Sequence, residues 1–167
     1  MSYRELFAEA EWSGVVQAPM LAGFAVTAAD PNGLIGAVQE SAAMANAFKA
    51  GSEAAAAGSL IAEVAAAYET SEGRSVALAG PRELAKGRKP AEACAAAIAR
   101  LAETAASLRE TAPAEAPAFC DWLRDIAANV AEATSEGGFL GFGGEKVSEA
   151  ERKTLADIDT ALAPPTG

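Results

Sequence analysis

Alanine fills 45 of the 167 positions in this chain. It is the strongest helix former and a poor strand former, so the chain is constrained toward helices before any pattern is read. Aromatic residues are few, at six Phe, two Trp and two Tyr. Helices must therefore bury a core largely through small side chains, which favours close axis-to-axis approach. A chain of this length suits one domain that folds without staples. The expectation is an all-α fold, a compact bundle of about six to seven helices.

There is no histidine. That excludes a Ser-His-Asp triad, a Cys-His pair, a His-ligated metal and the Glu-x-x-His di-iron bundle. The net charge of −10 argues against a general affinity for nucleic acid or anionic lipid. Residues 1–72 carry a net −7, residues 73–109 a net +4 and residues 110–167 a net −7. The basic middle is either an interaction patch or charge neutralised within the fold. Cys94 and Cys120 are too few for a disulfide framework and fall in helical patterns, so both read as buried thiols.

The start, Met1-Ser2-Tyr3-Arg4-Glu5, lacks the basic character of a signal peptide, which predicts a cytoplasmic protein. Residues 12–29 hold no charge, close to the length of a membrane span. Ser13, Gly14, Gln17, Pro19, Gly23 and Thr27 make that stretch too weakly apolar for stable insertion. A central buried helix is the expectation.

Along the chain, helices are expected over residues 3–18 and, restarted by Pro19, over 19–29. Asp30-Pro31-Asn32-Gly33 signals a turn, followed by a helix over 34–50. Gly51-Ser52 should break it, with Ser52 capping a helix that carries Leu60, Ile61, Val64 and Tyr68. Gly73, Gly80, Pro81, Gly87 and Pro90 predict loop and one short helix over 71–90. Cys94, Ile98, Leu101, Ala105 and Leu108 form one helical seam, and Phe119, Leu123, Ile126, Val130 and Ala133 another. The short connection through Pro113 and Pro117 predicts that these two helices pack antiparallel through their seams. After a Gly-rich segment, Ser148-Glu149-Ala150-Glu151 has capping-box spacing and opens a last helix bearing Leu155, Ile158 and Leu162. Residues 164–167 read as a disordered tail.

Two parts of the chain look alike: an Ala-rich helix, an acidic turn with Gly, then a helix with Glu in its first half. The first copy runs Val26-x-x-Ala29-Asp30-x-x-Gly33 with Glu40 downstream, and the second Val130-x-x-Ala133 with Glu136 and Glu151. This pattern resembles the tellurite-resistance TerB family of bacterial helical proteins. The Glu136-to-Gly144 string, Glu-Gly-Gly-Phe-Leu-Gly-Phe-Gly-Gly, is similar to one in uncharacterised bacterial members of that group. The resemblance covers about residues 19–70 and 115–163. It implies a single domain of two related helical hairpins over 1–163 and a non-enzymatic stress-response role tied to tellurite, with cation sensing. The second copy departs from the family, because Thr134 stands where the Asp would be.

Asp30, Glu40, Glu136 and Glu151 are the one constellation with metal chemistry. Carboxylates meeting near helix ends suit a hard cation such as Ca²⁺, Mg²⁺ or Mn²⁺, which needs no imidazole. The plain alternative makes Asp30 a turn or N-cap residue, Glu151 a capping-box acid and Glu40 a solvated helix position. The Gly-rich segment lacks the Gly-Lys-Ser/Thr ending of a phosphate loop. Its Phe139 and Phe142 either plug the core or form a partner-docking tip. Trp12 and Trp122 read as core or dimer packing. A protein partner or self-association is expected. The competing readings are an Ala-rich amphipathic coat or scaffold, phasin-like, and a carboxylate hydrolase using Asp30 with Glu40.

Overall fold

The structure is a computed structural model that describes residues 2–29, 33–136 and 147–165, leaving aside the side chains of residues 33–43 and 134–136. Among the described residues there are seven α-helices, one short 3-10 turn and no strand. The all-α bundle is as the composition demands. The 3-10 turn spans Tyr3–Leu6 and is followed by α1, Glu9–Ala29. Then come α2, Gly33–Ala54; α3, Leu60–Glu69; and α4, Ser71–Ala85. The C-terminal half holds α5, Pro90–Thr111; α6, Ala116–Glu136; and α7, Glu149–Leu162.

Helix α1 sits at the centre, where its apolar composition requires it. Val15, Val16, Gln17, Ala18 and Pro19 are five consecutive buried residues, which at helical spacing face all round the helix, and Leu21, Ala22, Ala25 and Val26 are buried beyond them. By length and composition α1 could cross a membrane, but within this fold it is the core helix. It packs mainly on α5, α4 and α6, with further contact to α2 and α7.

That central position corrects the expected pairing of α5 with α6. The two make only slight contact. Leu101, Ala105 and Leu108 of one seam are buried, as are Phe119, Leu123, Ile126 and Val130 of the other. An all-round apolar α1 needs cover on several sides at once, and both helices contact it strongly.

Three further expectations are corrected. Pro19 does not start a new helix; it lies inside a continuous α1. A proline there forfeits one helical hydrogen bond, but residues 15–19 are buried from several sides and hold the helix together. Gly51-Ser52 does not break α2. Gly51 lets the Trp122 indole lie against the helix: a Cβ there would come 2.1 Å from Trp122 Cδ1. Ser59, not Ser52, caps α3, its hydroxyl accepting from the N–H of Ala62 at 3.3 Å. Residues 71–85 are helix rather than loop. Ala77, Gly80 and Leu84 face inward at helical spacing, and Gly80 is a notch for Gln17, whose Oε1 would lie 2.6 Å from an added Cβ. Helix α4 ends before Gly87, which takes the positive φ of 72° that a side chain resists.

Local caps fix the remaining joints. Glu115, in the connection between α5 and α6, accepts from the N–H of Leu60 at 2.9 Å and so closes the start of α3. Arg109 donates to the carbonyl of Leu162 at 2.6 Å, placing a cation at the C-terminus of α7. Glu63 binds the chain start, accepting from Tyr3 N–H at 2.9 Å and from the Ser2 hydroxyl at 2.7 Å. Trp122 is core, edge-on to Phe119 with ring centroids 5.5 Å apart. Trp12 is half-buried beneath the Arg4 guanidinium, 5.8 Å from its ring. Cys94 and Cys120 are free and buried, as expected.

Candidate functional site

The end of α1, the start of α5 and the first half of α7 meet around a groove of about 570 Å³. Its position follows from local sequence. Pro90 takes the first helical position of α5, where its missing N–H costs nothing. Helix α7 opens on the expected capping box: Ser148 Oγ accepts from Glu151 N–H at 3.2 Å, and Glu151 Oε2 accepts from Ser148 N–H at 2.8 Å.

The groove is apolar at its floor, with Ala28, Ala29, Cys94 and Ile98, and charged at its edge, with Lys89, Lys153 and Asp157. Lys153 pairs with Asp157 one turn along α7, and the carboxylate beside it raises the ammonium pKa. Cys94 Sγ lies 3.9 Å from the Thr154 hydroxyl. Burial pushes the Cys94 thiol up, against the smaller lowering effect of that hydroxyl. A thiol so protonated is a poor nucleophile, which removes the simplest covalent chemistry from this site.

Of the four acids expected to meet, the structure describes Glu151 alone. It is only 2% exposed, with Oε2 committed to the cap and Oε1 buried without a hydrogen-bond partner. Asp30 and the side chains of Glu40 and Glu136 lie outside the described residues, as do Phe139 and Phe142. Among the described residues no three His, Cys, Asp or Glu side chains are grouped to hold a metal. The fold does bring two of the predicted segments together. Ala29, immediately before Asp30, and Ala150, immediately before Glu151, line the same groove.

Lys89, Lys153 and Cys94 were not singled out from sequence as parts of one site. Nothing local marks them; they converge only because α1 holds α5 and α7 at its C-terminal end. Two other depressions among the described residues are smaller. One of about 420 Å³ between α1 and α5 includes Gln17, whose buried Oε1 has no partner. Another, of about 380 Å³, sets Arg109 and Arg124 around Cys120. Arg109 is committed to the Leu162 carbonyl, and Arg124 to Asp121 and Asp159. Among the described residues Leu6, at 44%, is the exposed large apolar side chain.

No protein-family model, no curated protein and no solved structure matches the chain.

Proposed function

We propose that this chain is a non-enzymatic helical stress-response module resembling TerB proteins, which senses a divalent cation and relays its state to a protein partner. The observation that supports the reading is the groove that Ala29 and Ala150 line together. Ala29 ends α1 immediately before Asp30, and Ala150 stands in the first turn of the helix that bears Glu151. The buried Glu151 Oε1, lacking a partner, is an oxygen of the type a hard cation takes. The contacts of α1 with α2 and of α6 with α7 are those that two related hairpins require.

The test is a thermal melt with EDTA and with Ca²⁺, Mg²⁺ or Mn²⁺. A cation that binds only the folded form at a hundred times its Kd adds about 2.7 kcal/mol. In a chain of this size that is a rise of roughly 5–11 °C in Tm. Asp30→Asn should shrink the rise sharply, because Asn still suits a turn or cap but is no longer a charged ligand. Thr134→Ala, where the second copy has no carboxylate to match Asp30, should leave it intact. A wild-type melt indifferent to all three ions and to EDTA would refute cation sensing.

A further inference from the structure

From the groove between α1, α5 and α7 we infer that the partner element docking there is an acidic amphipathic helix. The inference rests on the reading of this chain as a binding module and names the chemistry of its partner.

Shape speaks first. Ala91, Ala95 and Ala150 are exposed on the groove walls, while Ala28, Ala29 and Ile98 are half-buried at its floor. Small molecules favour pockets that enclose most of their surface. A groove with exposed walls would leave such a ligand half in water. A helix laid along it covers the walls, and alanines let its backbone come close, with apolar anchors at helical spacing reaching Ile98 and Cys94.

Charge then selects the partner. The chain as a whole carries −10, yet this groove is edged by exposed Lys89 and Lys153. Lys86 and Arg88 adjoin Lys89 in the same exposed connection between α4 and α5. Among the described residues Asp157 is the acid that lines the groove, and it is already engaged by Lys153. That pair is an exposed one on a single helix, so it exchanges readily for a carboxylate from outside. An acidic partner finds its complement here; a basic one would be drawn to the acidic remainder of the surface.

The experiment selects binders from a displayed library of helical peptides of about 15 residues, four turns, with randomised charge on one face and apolar residues on the other. Enriched peptides are resynthesised, and their affinity for the full-length protein is measured by fluorescence anisotropy. Acidic sequences should be enriched. Lys89→Glu with Lys153→Glu should weaken them by about tenfold or more, and raised salt should weaken them as well. Ala95→Trp, an exposed position that blocks the groove, should abolish binding while the far-ultraviolet circular dichroism stays unchanged. Enrichment of basic peptides, no enrichment, or affinity indifferent to these substitutions would overturn the inference. Binding that appears only after Phe139→Ser with Phe142→Ser would assign the groove to the chain's own segment and overturn it too. Self-association lost with Ala95→Trp would assign it to a second copy, with the same consequence. None of these outcomes depends on cations, so failure here and failure of cation sensing are separable.

Discussion

The Tyr68 hydroxyl, carried on α3, donates a 2.7 Å hydrogen bond to the backbone carbonyl of Val16 in α1. It also accepts from the backbone N–H of Met20. Those two groups are helical i and i+4 partners of one another, in the turn that holds Pro19, whose missing N–H leaves the Val15 carbonyl without its helical partner. A side chain from a neighbouring helix thus adds hydrogen bonds to the backbone in the turn that the proline disturbs.

Tyr68→Phe removes that bridge and keeps the ring stacked near Phe48, whose centroid is 4.5 Å away. The cost should be about 1–3 kcal/mol by denaturant unfolding, the range for a buried polar group left unpaired. Burial raises the Tyr68 pKa above its ordinary 10.0, with the Met20 hydrogen bond lowering it less. The folded chain therefore keeps a proton that the unfolded chain releases, and stability falls as pH rises past 10. That alkaline fall should be shallower in Tyr68→Phe. Equal slopes would disprove the buried-phenol account.

Gly51 makes the opposite point about a residue that usually weakens helices. At an exposed site Gly→Ala in a helix gains about 1 kcal/mol. Here a Cβ would sit 2.1 Å from Trp122 Cδ1, so Gly51→Ala should instead destabilise by about 1–3 kcal/mol, the range for overpacking. Trp122→Phe, destabilising by itself, should make Gly51→Ala less harmful by vacating that space. A neutral Gly51→Ala would mean that the indole and α2 separate freely.

These sites also mark where sequence is legible and where it is not. The Ser148–Glu151 box is readable because its bonds close within four residues. The inward stripes of α5 and α6 are readable because their period is local. Gly51, Gly80 and Pro19 carry the usual marks of a break, and their meaning is set by Trp122, Gln17 and Tyr68, which are distant in sequence. The partner of each seam is hidden from sequence for a related reason. Periodicity says that a helix has an apolar face, and the all-round burial of α1 decides what that face meets. The groove had no sequence signal at all, since its alanines look like every other alanine in the chain.

Glu63 should act as the latch of the N-terminus. Burial works to raise its pKa, but the N–H of Tyr3, the Ser2 hydroxyl and the N–H of Arg4 outweigh it and hold the carboxyl below its ordinary 4.5. The stabilisation is present above pH 4.5 and is lost as pH falls through the folded value. Glu63→Gln should therefore be less stable than wild type at neutral pH, with the difference narrowing in acid. Limited proteolysis should cut the segment before α1 faster in the variant, since Phe7 is buried only while that turn is held. Cleavage at the wild-type rate would show that the turn is held by other contacts.

The two thiols should be silent in the native protein. Cys94 is 8% exposed and Cys120 only 2%, and burial raises both pKa values. An aromatic disulfide reagent should titrate none rapidly in buffer and both in denaturant. Fast native labelling of Cys94 would mean that the groove floor opens far more than the structure allows.

Glu151 separates capping from cation binding within one side chain. If it only caps, Glu151→Gln keeps an acceptor for Ser148 N–H and should stay within about 0.5 kcal/mol of wild type in EDTA. Ser148→Ala, by contrast, should cost about 1 kcal/mol through loss of the hydroxyl that accepts from Glu151 N–H. If Oε1 faces a cation, the two variants should differ again when Ca²⁺, Mg²⁺ or Mn²⁺ is added. Ser148→Ala would still gain in Tm, because its carboxylate remains. Glu151→Gln would not, because the unpartnered oxygen has become part of a neutral amide. Equal cation responses in both variants would leave Glu151 as a cap and confine any cation site to Asp30, Glu40 and Glu136.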